Sequence, residues 1–327
     1  MLSRREFLAG ASLAVVAGLH SALAQVYPSQ TIRIIAGYPA GGGIDLLARY
    51  LAEPLKALGQ SVVVENRAGA AGMIAAQAVA KAPPDGQMML MATSGEIAIS
   101  LHLYKDKMAY DPMRELAPVA LAGIVPCVVV VAEATPVKTP QELIAYCKAN
   151  PGKLSFSSSG VGNPQQLAGE LMNTMAGTDV LHVPYRGAAP AVTDVATGAV
   201  TMSFTSYAAA LPLIQAGKIR AVAVTSLERM PQLPDVAPLQ DGAPGLKGYE
   251  LLNWFGVFVP GGTPVPIVRQ LNEITVKTFT DPDMVKKLDG QGIVPRATTP
   301  EQFRSFVESE SKKFAAIIER ANIKAPA

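Results

Sequence analysis

The residues of this chain that are best suited to chemistry are neutral hydrogen-bond donors. Gly41, Gly42 and Gly43 lie between a predicted strand at 32–35 and a predicted helix. Glycines let the backbone turn tightly and approach a ligand, and the helix start that follows presents unpaired N–H groups. This combination predicts an anion site, with a plain strand-to-helix connection as the alternative. Because no Gly-Lys-Ser/Thr and no Gly-x-Gly-x-x-Gly is present in the loop, phosphate and dinucleotide binding are weakly supported.

Hydroxyl and amide side chains recur where predicted strands end, in both halves of the chain. They are accompanied by a single cation, Arg186, and comprise Asn66, Thr93, Ser158, Ser159, Tyr185, Thr205 and Ser206. The carboxyl ends of parallel strands meet at one edge of a sheet, so donors from neighbouring strands should lie together. Taken singly, each serine or threonine is better explained as a helix cap. Their recurrence in both halves instead favours binding of a small organic carboxylate.

Residues able to catalyse a reaction are scarce. Beyond residue 25 the histidines are His102, in a loop-like stretch, and His182, within a predicted strand where a structural role is favoured. The serines at 157–159 do not form a Gly-x-Ser-x-Gly elbow, and carboxylates such as Asp45 are scattered singly. The sequence therefore predicts no catalytic residue, no metal site and no cofactor.

Strands and helices alternate along the chain, a pattern typical of α/β folds with parallel sheets. An apolar stretch at 116–132 is longer than a usual strand, and we interpret it as the chain passing from one domain to a second. A Pro/Gly-rich segment at 231–248 is interpreted as the return linker. Predicted strands lie at 32–35, 61–66, 88–92, 153–157, 179–183, 200–204, 219–225 and 253–259.

These linkers predict two lobes. Lobe I is expected to comprise residues 25–123 and 227–327, and lobe II residues 124–226, with a hinge and a cleft between them. Such a geometry can close on a ligand.

The first 24 residues have the pattern of a signal peptide. Arg4 and Arg5 precede an apolar run, and small residues lead to a predicted cleavage after Ala24. The segment at 3–8 resembles a twin-arginine motif, with a general secretory signal as the alternative. No later apolar run is long enough to cross a bilayer, so we expect a periplasmic protein without a membrane span.

Composition limits the partners of this protein. The 327 residues are 49% hydrophobic and 17% charged, with a formal net charge of +2 and no long basic run, so nucleic acid is a poor candidate. Cys127 falls in an apolar strand pattern and Cys147 on a predicted helix. Buried free thiols are favoured, although an oxidising compartment would permit a disulfide.

Several motifs, in order and at familiar spacing, resemble the Bug family of extracytoplasmic solute receptors of tripartite tricarboxylate transporters. The resemblance runs from about Tyr27 to the C-terminus. It implies a type II periplasmic-binding-protein fold with two α/β lobes, each a mainly parallel sheet flanked by helices. The matching segments lie at 38–45, 64–72, 84–86, 150–154, 158–162, 182–187 and 254–256.

The resemblance also implies which residues line the cleft, where a ligand carboxylate is gripped between the glycine loop and the opposite lobe. Three positions depart from the family pattern: Ile44 replaces a Ser or Thr, Gln166 replaces a His, and Thr205 replaces an acidic residue. The implied lining residues are Tyr38, Ala40, Gly41, Gly42, Gly43, Asp45, Asn66, Thr93, Ser158, Ser159, Gly160, Tyr185 and Arg186, and Gln166, Thr205 and Ser206 complete the predicted site.

We therefore predict a monomeric periplasmic receptor that captures a small organic carboxylate and delivers it to the membrane permease subunits of a tripartite transporter. An exported enzyme acting on a carboxylate, and a ligand sensor for a signalling kinase, are the alternatives. The sequence leaves open whether the ligand has one, two or three carboxylates.

Overall fold

The computed structural model describes residues 27–325, so the predicted signal peptide at 1–24 lies outside the described residues. Ten strands alternate with helices, as the sequence pattern indicated. The strands are β1 Ile32–Ala36, β2 Val62–Asn66, β3 Met88–Thr93, β4 Leu116–Ala132, β5 Leu154–Ser158, β6 Val180–Pro184, β7 Met202–Ser206, β8 Ile219–Val224, β9 Leu252–Pro260 and β10 Val294–Pro295. The helices are α1 Gly43–Leu55, α2 Met73–Ala80, α3 Ser100–Leu103, α4 Pro112–Glu115, α5 Pro140–Ala149, α6 Pro164–Ala176, α7 Ala188–Thr197, α8 Tyr207–Gln215, α9 Val265–Thr280, α10 Pro282–Asp289 and α11 Pro300–Arg320.

The strands form two sheets that share β4. In the first sheet the order is β2-β1-β3-β9-β4, and β10 also pairs with β4. In the second sheet the order is β4-β7-β5-β6, and β8 also pairs with β4. The β1, β2 and β3 pairings and the β5, β6 and β7 pairings are parallel, whereas every pairing with β4 or β9 is antiparallel. Each sheet is therefore mixed, with a parallel part whose strand ends carry the predicted donors.

The long strand β4 is the connection between the two sheets. Its first part pairs with β9 as far as Pro126, and its second part pairs with β7 from Cys127 and with β8 from Val128. The apolar stretch thus runs from the first sheet into the second, and its interpretation as the passage from one domain to another stays a prediction. The lobe boundaries at residues 124 and 227 stay a prediction.

Strand β2 is the edge strand of the first sheet, and Val63 is 45% exposed. One local prediction was wrong. His102 was expected in a loop but lies in α3, where its Nε2 is 2.8 Å from Ser311 Oγ on α11.

Aromatic side chains fix the C-terminal helix against the first sheet. Trp254 on β9 is fully buried and contacts Phe303 and Phe306 of α11 edge-on, with centroids 5.8 and 5.9 Å apart. Cys127 and Cys147 are both buried and free, which confirms the favoured prediction. Among the described residues, no helix has the length and apolar character that a membrane span requires.

Candidate ligand-binding site

The glycine loop, residues 37–43, connects β1 to α1 at the end of the first sheet. Ala40, Gly41 and Gly42 are exposed. Gly41 has a φ of +86°, a conformation that side chains other than glycine rarely adopt. No side chain caps α1, which begins at Gly43, so the first N–H groups of this helix are left for solvent or for an anion.

Asp45 fixes the shape of this loop from its buried side. The carboxylate is 3% exposed, and its Oδ2 accepts hydrogen bonds from Gly41 N at 2.9 Å and from Arg49 Nε at 3.0 Å. Burial by itself would raise the pKa of Asp45, but the hydrogen bonds from Arg49 and Gly41 outweigh it and hold the pKa below its ordinary value. Asp45 is therefore ionised at neutral pH and holds the loop, while the exposed amides face outward.

Tyr38, Asn66 and Thr93 meet at the ends of three neighbouring strands. Asn66 Nδ2 donates to Tyr38 O at 3.0 Å. The Tyr38 hydroxyl donates to Ala71 O at 3.2 Å and lies 3.5 Å from Thr93 Oγ1. These contacts confirm the prediction that Asn66 and Thr93 are neighbours of the glycine loop.

Glu96 is a carboxyl group beside these residues that sequence reasoning missed. It lies in a π-helical segment, Gly95–Ile99, which directly follows β3, and it is fully buried. Its Oε1 accepts from Thr93 N at 2.8 Å, and its Oε2 accepts from Thr93 Oγ1 at 2.7 Å. Burial raises the pKa of Glu96 to about 7, against the opposing effect of the Thr93 hydrogen bonds. The available signal was a single acidic residue next to the apolar run 97–99.

The serine loop, residues 158–163, connects β5 to α6 in the second sheet. Asn163 caps α6 by accepting from Gln166 N at 3.0 Å, and it donates to Ser159 Oγ at 3.0 Å. Gln166 in turn accepts from Gly162 N through Oε1 at 2.8 Å. The side-chain oxygen of Gln166 thus holds the loop, and the side-chain nitrogen Nε2 is left as a donor.

Ser158 and His182 are in contact, but their hydrogen bonds do not form a nucleophile and base. The Ser158 hydroxyl donates to Gly160 O at 2.7 Å and lies 2.7 Å from His182 Nε2. Because a hydroxyl carries one proton, His182 must donate through Nε2–H and cannot accept the serine proton. Burial lowers the pKa of His182 to about 4, so the ring is neutral, and it packs against Phe156 at 4.9 Å. This arrangement matches the structural role that the sequence favoured.

The four remaining predicted residues of the second sheet are placed differently from one another. The Tyr185 hydroxyl donates to Asp194 Oδ2 at 2.6 Å, and this contact raises the pKa of Tyr185 to about 12. Arg186 is exposed. Thr205 is 1% exposed and its hydroxyl has no partner among the described residues. Ser206 caps α8 by accepting from Ala209 N at 3.4 Å, which is the helix-cap alternative of the sequence reasoning.

The two loops lie opposite each other across Gly95. A Cβ atom placed on Gly95 would lie 3.2 Å from both Tyr38 Oη and Thr93 Oγ1, and 3.6 Å from Gly162 O of the serine loop. Gly160, in the same loop, would place a Cβ 3.6 Å from Tyr185 O. The structure therefore brings the first-sheet donors to the serine loop of the second sheet.

A second contact between the sheets lies at the other end of the glycine loop. A Cβ atom on Gly43 would lie 3.3 Å from the Phe255 ring and 3.9 Å from Ile293. Gly292 precedes Ile293 in the chain, and a Cβ atom placed on it would lie 2.8 Å from the Cβ of Tyr207, the first residue of α8. The glycine loop thus lies beside the junction of the sheets, close to residues that follow Ser206.

The chemistry of this region is that of binding by neutral donors. Within residues 27–325, no group of three His, Cys, Asp or Glu side chains is arranged to hold a metal ion. Exposed backbone amides and the side-chain amide of Gln166 can donate to an anion without a compensating buried cation.

Two mixed sheets joined by a shared strand, with polar loops opposed at their junction, define the class of two-lobed solute-binding proteins. Residues 47–323 match the model of the tripartite tricarboxylate transporter family receptor, TctC. The chain belongs to this family, which is a family of periplasmic receptors, and its relatives include Bug proteins.

Similar proteins and structures agree with this assignment. The chain is 34% identical over 303 residues to Protein BugT of Bordetella pertussis, and the match covers 92% of each chain. The structure of R. palustris Rpa4515 with adipate is 34% identical, with a TM-score of 0.84 over 91% of this chain and 99% of that one. MatC from Rhodopseudomonas palustris with bound malate is 29% identical, with a TM-score of 0.79 over 89% and 100% of the two chains.

Proposed function

We propose that this protein is a periplasmic receptor that captures a small organic carboxylate between the glycine loop and the serine loop. It then delivers the ligand to the membrane permease subunits of a tripartite transporter and does not transform it. Membership of the receptor family supports this proposal, as does the hydrogen-bond pattern of Ser158 and His182, in which the histidine does not act as a base.

The observation that carries the proposal is the position of Gly95 between the two loops. Tyr38 and Thr93 on one side and Gly162 on the other all lie within 4 Å of a Cβ placed on Gly95. A ligand between these loops contacts both sheets at once. Such a ligand stabilises the closed arrangement, because it makes both sets of contacts only in that state.

A dicarboxylate is the ligand class that the comparisons favour, because the similar structures hold adipate and malate. One carboxylate would be received by the exposed amides of the glycine loop at the start of α1. The other end would be received by the serine loop and by Gln166, with Arg186, the residue after Tyr185 beside Gly160, as the proposed cation. The proposed lining is the set of residues predicted above, extended by Glu96 behind Tyr38 and Thr93.

The test compares two glycines that share one backbone conformation. Gly41 and Gly59 both have a φ of +86°, and a Cβ on either would meet no atom within 4 Å. Gly41→Ala and Gly59→Ala should therefore lose similar stability, about 1–2 kcal/mol each. Only Gly41→Ala should weaken ligand binding, by at least tenfold, because it disturbs the loop amides.

The readout is thermal unfolding and calorimetry with adipate, malate, a monocarboxylate and an uncharged diol. Binding to the native state alone raises Tm, so the wild type should be stabilised by at least one carboxylate and not by the diol. A panel that stabilises nothing, or equal loss of affinity in both glycine variants, would count against the proposal. Conversion of the bound acid, followed by mass balance, would support the enzyme alternative instead.

A further inference from the structure

Glu96 is held in a tight cradle that contains no positive charge. A Cβ atom on Gly72 would lie 2.8 Å from both Cδ and Oε2 of Glu96, so the carboxyl group packs on bare backbone. The Tyr110 hydroxyl donates to Glu96 O at 2.6 Å and fixes its backbone. Among the described residues, no lysine or arginine nitrogen forms an ion pair with this carboxyl group within 4.0 Å. A charge in this position is compensated by hydrogen bonds alone.

The protons of the neighbouring hydroxyls decide what the site can donate. When Glu96 is ionised, the Thr93 hydroxyl donates its only proton to Oε2 and accepts from Gly95 N at 3.0 Å. Thr93 then offers a ligand no proton, only oxygen lone pairs. A protonated Glu96 donates to Thr93 Oγ1 instead, and this releases the threonine proton for another acceptor.

On the basis of the proposed function, we propose that Glu96 takes up a proton when a carboxylate ligand binds beside Tyr38 and Thr93. Ligand capture is thereby coupled to pH. Two effects favour this proton uptake. A ligand carboxylate close to a buried carboxylate disfavours the second negative charge, and protonation adds one hydroxyl donor to the site.

The titratable groups in contact with Glu96 do not supply this proton. Tyr38 from the glycine loop and Tyr110 from the segment before α4 both have a pKa raised far above the ordinary value, chiefly by burial, so both are neutral phenols. The proton must therefore come from solvent, and its uptake can be measured.

Charged side chains that are not exposed, on the other elements that pack against the segment 95–99, are engaged elsewhere. On α4, Glu115 pairs with Lys81 at 2.6 Å. On α11, Glu310 pairs with Lys313 at 2.8 Å. His102 on α3 is bonded to Ser311, and burial lowers its pKa, so it is neutral near pH 7. Helix α2 and strand β3 contain no charged residue.

The experiment measures proton uptake on binding of adipate, or of malate if adipate does not bind. Calorimetric titration of the wild type at pH 8, in two buffers of different ionisation enthalpy, should show uptake of about half a proton or more per ligand. The Kd should rise above pH 7, by up to about tenfold for each pH unit, while the ligand itself stays ionised.

Glu96→Gln imitates the protonated carboxyl, because its amide both accepts and donates. This variant should take up no proton and should bind with the same Kd from pH 6 to pH 8.5. Glu310→Gln is the control, since it removes another buried carboxyl whose pKa is raised, chiefly by burial. It should keep the proton uptake of the wild type.

Each outcome separates this inference from the proposed function. Binding of adipate or malate without proton uptake by the wild type overturns the role of Glu96 and leaves the receptor function intact. Failure of the whole ligand panel overturns the receptor function itself. If Glu96→Gln does not fold, Thr93→Val removes the hydroxyl that donates to the ionised carboxyl. The midpoint of uptake should then move to higher pH, and an unchanged midpoint overturns the inference.

Discussion

Each of the two opposed loops is backed by one titratable side chain, a fully buried carboxyl group in one case and a partly buried imidazole in the other. Glu96 lies behind the glycine-loop side and His182 behind the serine loop. Burial favours the neutral form of both, because a charge is costly to remove from water. It raises the pKa of Glu96 to about 7 and lowers that of His182 to about 4. Near pH 7 the histidine is therefore uniformly neutral, whereas the glutamate is divided between two states.

The neighbouring hydroxyls show why this difference matters. Ser158 donates to Gly160 O inside its own loop, beside a histidine that is neutral near pH 7. Thr93 donates to Glu96 only while the glutamate is ionised. The serine loop therefore has a fixed donor pattern, and the glycine-loop side has a pattern that depends on one proton. The predictions below test this contrast through stability without ligand.

The largest effect is expected for Glu96→Gln in the dependence of stability on pH. The folded-state pKa of Glu96 lies above its ordinary value of 4.5, so the folded protein holds a proton that the unfolded chain has lost between pH 4.5 and 7. Wild-type stability should fall as pH rises through this window, by about 3 kcal/mol in total. Urea unfolding should show the variant gaining this amount over the wild type from pH 4.5 to pH 8. A constant difference across this range would show that folding does not raise the pKa of Glu96.

His182→Gln should change the dependence of stability on pH at the acidic end, where the wild type is expected to lose stability as pH falls. The folded-state pKa of His182 lies below its ordinary value of 6.5, so the unfolded chain binds a proton first as pH falls. This group should cost the wild type stability between pH 6.5 and pH 4, by about 2 kcal/mol after allowance for its partial exposure. Glutamine keeps a donor for Ser158, and urea unfolding should show the variant losing less stability in acid. A loss equal to that of the wild type would contradict the proposed environment of the ring.

Most of the fold was predictable from the sequence because strands, turns and helix starts have local signals. The apolar stretch that forms β4 was recognised by its length, and Asn66 and Thr93 were placed beside the glycine loop by the strand-end rule. Edge position was not predictable, because the continuous apolar run of β2 does not reveal that this strand has only one neighbour.

The missing part of the candidate site has a physical reason. Glu96 was overlooked because carboxylates are usually solvated and an isolated one carries no motif. Only the tertiary structure shows that the bare backbone of Gly72 and the Thr93 hydrogen bonds hold it in the interior. The hydroxyl of Thr205 was predicted at a strand end for binding, but its burial without a partner could not be read from the sequence either.

The smallest effect is expected for Tyr38→Phe, which removes a hydroxyl near Glu96 without changing the charge. The hydroxyl donates to Ala71 O at 3.2 Å and lies 3.5 Å from Glu96 Oε2. Its removal should therefore lower the free energy of unfolding by about 1 kcal/mol. The loss should be greater at pH 8 than at pH 5, because a nearby hydroxyl dipole stabilises the ionised carboxyl more than the neutral one. Urea unfolding of the variant and the wild type at both pH values gives the difference. An equal loss at pH 5 and pH 8 would mean that the hydroxyl serves Ala71 alone, and that Thr93 is the hydroxyl through which the charge of Glu96 reaches the ligand side.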